Sequence, residues 1–336
     1  MSKTIVTVLA TARDGVRLPA GGGPFPRAIL ARPSLRDAVD VRFATVPGDT
    51  TAVRDTEVIA CGNVPADVLA AAAKLKWISF WASGLDGRLS PEMKARNLLV
   101  TNAAGIHGPN IAEHIIGYML IFTRRFATYA RAQQAHQWVH HEEPSEELTD
   151  QTLGIVGLGA TGRELAVRAR SFGMQLLATK RDVGTGGDVV DELFTPSQVA
   201  TLVSRADHVA ITAPYTKETH RLFDEKLLAL MKPTAYLYNT SRGTIIDEAA
   251  LIAALRGGRL RGAGLDVFEK EPLPPDSPLW DMPNVIVTPH ASGFTPYYFP
   301  RAAELFADNL ERYLDGRPLQ NVYDWTLGYS RAGRAS

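Results

Sequence analysis

Residues 153–169 read as a strand, a glycine turn and a helix that follow one another directly. Leu153-Gly154-Ile155-Val156 is a compact apolar run. Gly157-Leu158-Gly159-Ala160-Thr161-Gly162 comes at once, and Arg163-Glu164-Leu165-Ala166-Val167-Arg168-Ala169 continues with helical spacing. A G-x-G-x-x-G string alone is weak. Between a strand and a helix it specifies a unit built to carry a dinucleotide. Gly157 permits the tight turn, Gly159 lets backbone approach a pyrophosphate, and Gly162 lets helix and strand pack closely. The helix start, with the N–H groups of Ala160 and Thr161, turns a positive dipole end toward the phosphates.

The rest of the chain agrees with this Rossmann-type start. Strand patterns are expected at 5–9, 58–61, 77–81, 98–101, 153–156, 175–178, 208–212, 235–238, 262–265 and 285–287, with helical patterns between most of them. Such alternation predicts α/β architecture with parallel sheets. The 336 residues suggest two domains, at roughly 150 residues each. Two places look like crossings: Asn102-Ala103-Ala104-Gly105-Ile106-His107-Gly108-Pro109, and the stretch from Pro289 to Pro296. A dinucleotide-binding block at 103–293 is therefore expected inside a domain made of 1–102 and 294–336. Active sites often lie in the cleft of such a pair. The run from Pro19 to Pro24 is expected to be a loop.

Composition closes off other classes. Lys plus Arg equals Asp plus Glu, 36 against 36, which supports neither a nucleic-acid partner nor a membrane surface. The N-terminal run Lys3 to Leu9 is expected to be a first strand rather than a signal peptide. The apolar helix 111–122 is too short and polar to span a bilayer. The single cysteine, Cys61, excludes an intrachain disulfide and reads as a buried core residue in a reducing, cytoplasmic setting. His140 and His141 are adjacent, so their side chains diverge, and no metal site is expected. The stretch 136–150 reads as an arm that packs on a partner subunit.

The strand after the glycine helix ends in Thr179-Lys180-Arg181. An NAD site usually places an acid here for the ribose hydroxyl. Lys180 and Arg181 instead suit a 2′-phosphate. This predicts a preference for NADP(H), with NAD(H) still usable. The alternative leaves both residues solvated and gives the ribose to Asp182.

Three later stretches place polar groups at strand ends: Tyr238-Asn239-Thr240-Ser241-Arg242-Gly243, Gly264-Leu265-Asp266-Val267-Phe268-Glu269-Lys270-Glu271-Pro272-Leu273, and Val287-Thr288-Pro289-His290-Ala291-Ser292-Gly293. Ligands of an open α/β sheet bind beyond the carboxyl ends of its strands, so Arg242, Glu271 and His290 could converge on one cleft, where Arg242 would suit a carboxylate. A histidine such as His290 would protonate the oxygen that becomes an alkoxide. Glu269 and Glu271 are both candidates for a carboxylate beside it.

With its Arg-Gly pair, Asp-Val-Phe-x-x-Glu-Pro and Pro-His in this order, the chain resembles the D-isomer-specific 2-hydroxyacid dehydrogenase family over residues 58 to 322. The resemblance implies a Rossmann-type coenzyme domain inserted into a flavodoxin-like α/β substrate domain. It implies that Arg242 binds the substrate carboxylate and polarises its keto oxygen, that His290 donates the proton, and that Glu271 orients His290 and raises its pKa. Asp266 would lie near the nicotinamide carboxamide. Thr240, Ser241, Ser292, Gly293 and the strand end Ala213-Pro214 would line the cofactor's nicotinamide half, with Thr219 a further contact. The turn after Trp77-Ile78-Ser79-Phe80 would supply Ser83 and Gly84 N–H groups to the carboxylate; Trp81 either lines the pocket or packs in the core.

The expected activity is reduction of a small 2-keto acid of the glyoxylate or hydroxypyruvate kind to the D-2-hydroxy acid, by a homodimer. Two alternatives stay open. One is a non-catalytic cofactor sensor, against which Arg242, Glu271 and His290 argue. The other is a dehydrogenase of another small anion, phosphonate, phosphite or formate. For formate, the Gln that accompanies the histidine is missing beside Pro289-His290.

Overall fold

The computed structural model describes residues 3–11, 23–46, 50–139 and 144–330. His140 and His141, and residues 19–22 of the expected loop, lie outside the described residues. The chain divides into two units, Met1–Ile106 with Thr295–Ser336, and His107–Phe294.

The first unit opens with β1 (Thr4–Thr11), α1 (Pro24–Leu30), α2 (Pro33–Arg36), β2 (Val39–Val46), β3 (Val58–Cys61), α3 (Ala66–Ala71), β4 (Trp77–Phe80), α4 (Pro91–Ala95) and β5 (Leu99–Thr101). Its strands lie in the order β2-β1-β3-β4-β5, all neighbours parallel. This is the flavodoxin order. Every residue of β3 and β4 is buried, as continuous apolar runs in a parallel sheet require. Cys61 is a buried free thiol. Strand β2 was not among the expected strands. It is an edge strand whose Asp40 and Arg42 alternate with Val39, Val41 and Phe43, and Arg42 bridges Asp40 at 3.0 Å and Asp55 at 2.8 Å. Charge on an edge strand discourages pairing with another chain.

The second unit contains α5 (Gly108–Thr123), α6 (Phe126–Gln134), β6 (Thr152–Val156), α7 (Ala160–Arg170), β7 (Gln175–Thr179), β8 (Glu192–Phe194), α8 (Val199–Arg205), β9 (His208–Ile211), α9 (Glu225–Leu230), β10 (Tyr236–Asn239), α10 (Glu248–Arg256), β11 (Gly262–Leu265) and β12 (Val285–Val287). The parallel sheet runs β12-β11-β10-β9-β6-β7-β8. This is the Rossmann order with one strand added beyond the β11 side. The order reverses between β6 and β9, so a ligand belongs outside their carboxyl ends. Strand β8, three residues at the far edge, is the other parallel strand that hydrophobic patterning left out.

The chain then returns to the first unit with α11 (Tyr298–Leu314) and the antiparallel pair β13 (Tyr323–Asp324) and β14 (Tyr329–Ser330). Helix α11 buries Ala302, Ala303, Phe306, Ala307 and Leu310, an apolar stripe at helical spacing. Phe306 meets the Trp77 ring at 5.3 Å and the Phe25 ring at 6.0 Å. No helix among the described residues is long and apolar enough to cross a membrane.

Candidate active site

The glycine loop and the end of β9 meet at the point where the strand order reverses. Gly157 has φ 104°, and a Cβ there would lie 2.6 Å from Ala213 Cα. Only glycine supports both the left-handed backbone and this approach. A Cβ on Gly162 would stand 2.6 Å from the Gly157 carbonyl, so this glycine lets α7 close onto the turn. Around Gly159 a Cβ would meet nothing within 4 Å, so that face of the backbone is open. Thr212 Oγ1 donates to Gly157 O at 2.7 Å and fastens the two loops.

The start of α7 suits a phosphate. Gly159 is its N-cap and supplies no side-chain cap. The N–H groups of Ala160, Thr161 and Gly162 have no acceptor among the described residues. Uncapped donors at the positive end of a helix form an anion site. Nearby on β10's exit, Thr240 Oγ1 is buried with no hydrogen-bond partner among the described residues, a group that a ligand could satisfy. The residues therefore fit a dinucleotide.

Beyond β7 the basic pair is placed unequally. Lys180 Nζ donates to Thr185 O at 3.0 Å and Thr185 Oγ1 at 2.8 Å. Arg181 is about half exposed and reaches Glu218 at 3.7 Å. Asp182 accepts from Gly184 N at 3.1 Å and so braces its own turn. Arg163 of α7 pairs with Asp188 in two bonds of 3.1 and 2.8 Å. Thr219 Oγ1 donates to Pro214 O at 2.9 Å and so ties the segment after β9 to its own strand end.

Arg242 leaves β10 through a turn made by a residue that the sequence analysis did not single out. Asn239 is fully buried; its Nδ2 donates to Arg242 O at 2.9 Å and its Oδ1 accepts from Ser241 N at 3.0 Å. An asparagine ending a buried strand is the signal for such a turn. Ser241 Oγ donates to Ala213 O, which joins this turn to the β9 end. Gly243 packs on the main chain of Phe268, which brings the Arg242 turn against the loop that carries Glu271.

His290 and Glu271 meet directly: His290 Nδ1 and Glu271 Oε2 are 2.7 Å apart. The other Glu271 oxygen accepts from Phe268 N at 3.1 Å. Glu269 turns elsewhere. It pairs with Arg221 at 3.2 Å, and its N–H donates to Glu248 at 3.1 Å. The hydrogen bond from Glu271 raises the His290 pKa above its ordinary value; burial and Arg242 oppose this, while the charges of Glu271 and Asp266 add to it. For Glu271 burial pushes upward, but the bonds from His290 and Phe268 N–H, with the charges of His290 and Arg242, hold it below the usual carboxylate range. Both directions describe one ion pair.

Asp266 is fully buried and holds the histidine's turn. Its backbone carbonyl accepts from His290 N at 2.8 Å, Oδ1 from Ala291 N at 2.9 Å, and Oδ2 from Ser292 N at 3.0 Å. His290 itself has φ 53°, uncommon for a residue with a side chain. Ser292 O accepts from Asn110 Nδ2 at 2.6 Å, and Gly293 faces the His107 ring.

In the first unit, Trp81 follows β4 and is 4% exposed. Its ring packs on Phe25 at 5.5 Å and edge-on to Phe299 at 5.9 Å, which is core packing. Ser83 Oγ donates to Ala103 O at 2.9 Å, and Asn102 Nδ2 donates to Ser83 O at 2.5 Å. The backbone N–H groups of Ser83 and Gly84 have no acceptor among the described residues.

Comparison with known proteins places these features in a family. A family profile described as D-isomer specific 2-hydroxyacid dehydrogenase, NAD binding domain, matches residues 116–292. The chain is 37% identical over 271 residues to a glyoxylate reductase of Thermofilum pendens, covering 79% of this chain and 80% of that one. A solved D-isomer specific 2-hydroxyacid dehydrogenase family protein of Aeromonas salmonicida is similar with a TM-score of 0.78 at 32% identity, over 96% of this chain and 99% of that one. A D-isomer specific 2-hydroxyacid dehydrogenase of Xanthobacter autotrophicus, solved with NADPH and MES, has a TM-score of 0.77 at 29% identity, over 96% and 100%.

Proposed function

The chain belongs to the D-isomer specific 2-hydroxyacid dehydrogenase family and is an NAD(P)-dependent oxidoreductase, and from that premise we propose that it reduces a small 2-keto acid of the glyoxylate or hydroxypyruvate kind to the D-2-hydroxy acid, with NADP(H) preferred. The observation that carries the proposal is the His290–Glu271 pair, 2.7 Å apart, in which their hydrogen bond raises the His290 pKa and helps hold that of Glu271 below the usual carboxylate range.

The hydrogen bond to Glu271 occupies His290 Nδ1, which leaves Nε2–H as the proton to be given. Arg242 binds the substrate carboxylate through its guanidinium fork and compensates charge on the keto oxygen as it develops. His290 Nε2 delivers a proton to that oxygen. Glu271 keeps the imidazole oriented and charged until then. Within the first unit, the Ser83 and Gly84 N–H groups, with no acceptor among the described residues, suit an anionic oxygen. A nicotinamide cofactor held by the second unit would supply the hydride. The Gly157–Gly162 turn, with the Ala160 and Thr161 N–H groups, would hold its pyrophosphate; Ala213, Pro214 and the Thr240 hydroxyl would line its nicotinamide half.

Lys180 and Arg181 support NADP(H), because neither would repel a 2′-phosphate and Asp182 is engaged at Gly184. The Xanthobacter relative was solved with NADPH. NAD(H) remains a second substrate in this reading, and a cytoplasmic homodimer is its expected form. The test is a panel of 2-keto acids with NADPH and with NADH. Turnover of glyoxylate or hydroxypyruvate, higher kcat/KM with NADPH, and loss of turnover in His290→Ala with cofactor affinity kept are the expected results. Near-normal turnover in His290→Ala would refute the assignment.

A further inference from the structure

Behind the His290 turn lies a hydrogen-bonded cluster that the proposed chemistry does not touch. Thr288, two residues before His290, contacts three groups through one hydroxyl. These are Asp266 Oδ1, Tyr118 OH at 2.6 Å, and His114 Nε2 at 3.1 Å. A hydroxyl has one proton and two lone pairs. The carboxylate can only accept, so the Thr288 proton goes to Asp266. Tyr118 and His114 must therefore donate, which places the proton of a neutral His114 on Nε2. The threonine hydroxyl is saturated.

The cluster has a route to the proton donor. Asp266 accepts from the N–H groups of His290, Ala291 and Ser292 in succession. Its carboxylate is fully buried, so its position depends on the donors around it. Removing Thr288 as a donor would free Oδ1 to shift, and the strained turn at His290, φ 53°, would shift with it. Tyr118 itself is held in place by glycine. A Cβ on Gly264 would lie 2.6 Å from Tyr118 Cγ, so only glycine at this point of β11 lets the ring reach Thr288. His114 braces the same ring edge-on at 4.6 Å. Burial raises the Tyr118 pKa and keeps its hydroxyl protonated, as a donor must be.

We propose that Thr288 and Tyr118 are positioning residues for His290, acting through Asp266 to hold the imidazole on Glu271. This rests on the assignment of His290 as proton donor. The test compares Thr288→Val, Thr288→Ser and Tyr118→Phe with the parent and with His290→Ala, using glyoxylate and NADPH. Thr288→Val should lower kcat roughly ten- to a hundredfold with KM changed by less than about twofold, the pattern of misplacement rather than lost binding. Tyr118→Phe should move in the same direction by less. Thr288→Ser, which keeps the hydroxyl, should recover most of the rate. Thermal unfolding checks that each variant is folded. A second readout needs no turnover: the imidazole proton resonance of His290 in histidine-labelled protein, identified by its loss in His290→Ala. It should shift or broaden in Thr288→Val and Tyr118→Phe and return in Thr288→Ser. Parent-like kcat in Thr288→Val, no recovery in Thr288→Ser, or an unmoved His290 resonance in both would overturn the proposal. If the parent reduces no 2-keto acid, the functional assignment fails and the resonance alone decides this one.

Discussion

Gly243 rests on the main chain of Phe268, so closely that a Cβ on it would lie 1.9 Å from the Phe268 carbonyl carbon and 2.1 Å from its oxygen. One step before the glycine is Arg242; three residues beyond Phe268 is Glu271. The contact therefore sets the separation of Arg242, the proposed carboxylate binder, from the loop behind the histidine. Gly243→Ala should destabilise the protein by about 3 kcal/mol through overpacking, and lower kcat/KM about a hundredfold by moving Arg242. Urea unfolding and steady-state kinetics would check both. An alanine variant with parent stability and rate would show that the spacing is set elsewhere.

The His290–Glu271 pair dictates a pH profile. The proposed reduction needs His290 charged, and the bond to Glu271 raises its pKa above the ordinary 6.5. The rate should therefore persist through the usual histidine range and fall only as pH rises through the raised value. Glu271→Gln removes the largest cause of the shift, so the alkaline limb should move to lower pH, with kcat down at least about tenfold. For stability the signs agree. The raised His290 contributes fully below 6.5 and loses its contribution as pH rises; the lowered Glu271 contributes above 4.5 and loses it as pH falls. Both side chains are more than a third exposed, so this contribution is small and activity is the sharper measurement.

Gly159→Ala separates folding from cofactor binding. A Cβ there meets no protein atom within 4 Å, so stability should stay within about 0.5 kcal/mol of the parent. If a pyrophosphate approaches this backbone, the methyl group stands in its way, and cofactor affinity should fall at least about tenfold. Calorimetric titration with NADPH beside thermal unfolding tests this. Unchanged affinity would remove Gly159 from the phosphate site.

At the first residue of β9, His208 should make the protein acid-sensitive. The ring is fully buried; Tyr238 OH lies 2.8 Å from Nδ1 and Gln151 Oε1 lies 2.6 Å from Nε2. Burial pushes its pKa down to about 4, Arg261 adds to this and Asp207 opposes it. The unfolded chain binds this proton near 6.5, so stability should drop as pH falls from there toward 4, by roughly 3 kcal/mol in all. His208→Asn should flatten that slope in urea melts between about pH 7 and about pH 5. Equal slopes would show that another group governs the acid response.

Both parallel sheets could be anticipated because their central strands are short apolar runs punctuated by helices. Edges β2 and β8 were harder. They are half exposed, charged or only three residues long, and hydrophobic patterning weakens where one side faces water. The glycine loop was readable because Gly157 and Gly162 each answer a local geometric need. The bracing of the site was less so. Asn239, Thr288 and Tyr118 act through partners whose identity depends on tertiary packing; Tyr118 and Thr288 are 170 residues apart in sequence. Lys180 is a further case: its type suggested a phosphate ligand, and the structure adds that its ammonium bonds to Thr185 within its own loop.

The first unit is interrupted by residues 107–294, and its α11 comes from the far side of that interruption. On a ribosome this has a temporal meaning. Trp77 and Phe25 emerge early, and Phe306, which packs on both, is made only after the whole insertion. The inserted unit is complete before its host can close its core, so it can fold during synthesis while the host waits with aromatic surface uncovered. A pause or truncation late in translation would leave a finished nucleotide-binding unit attached to an unfinished, aggregation-prone partner.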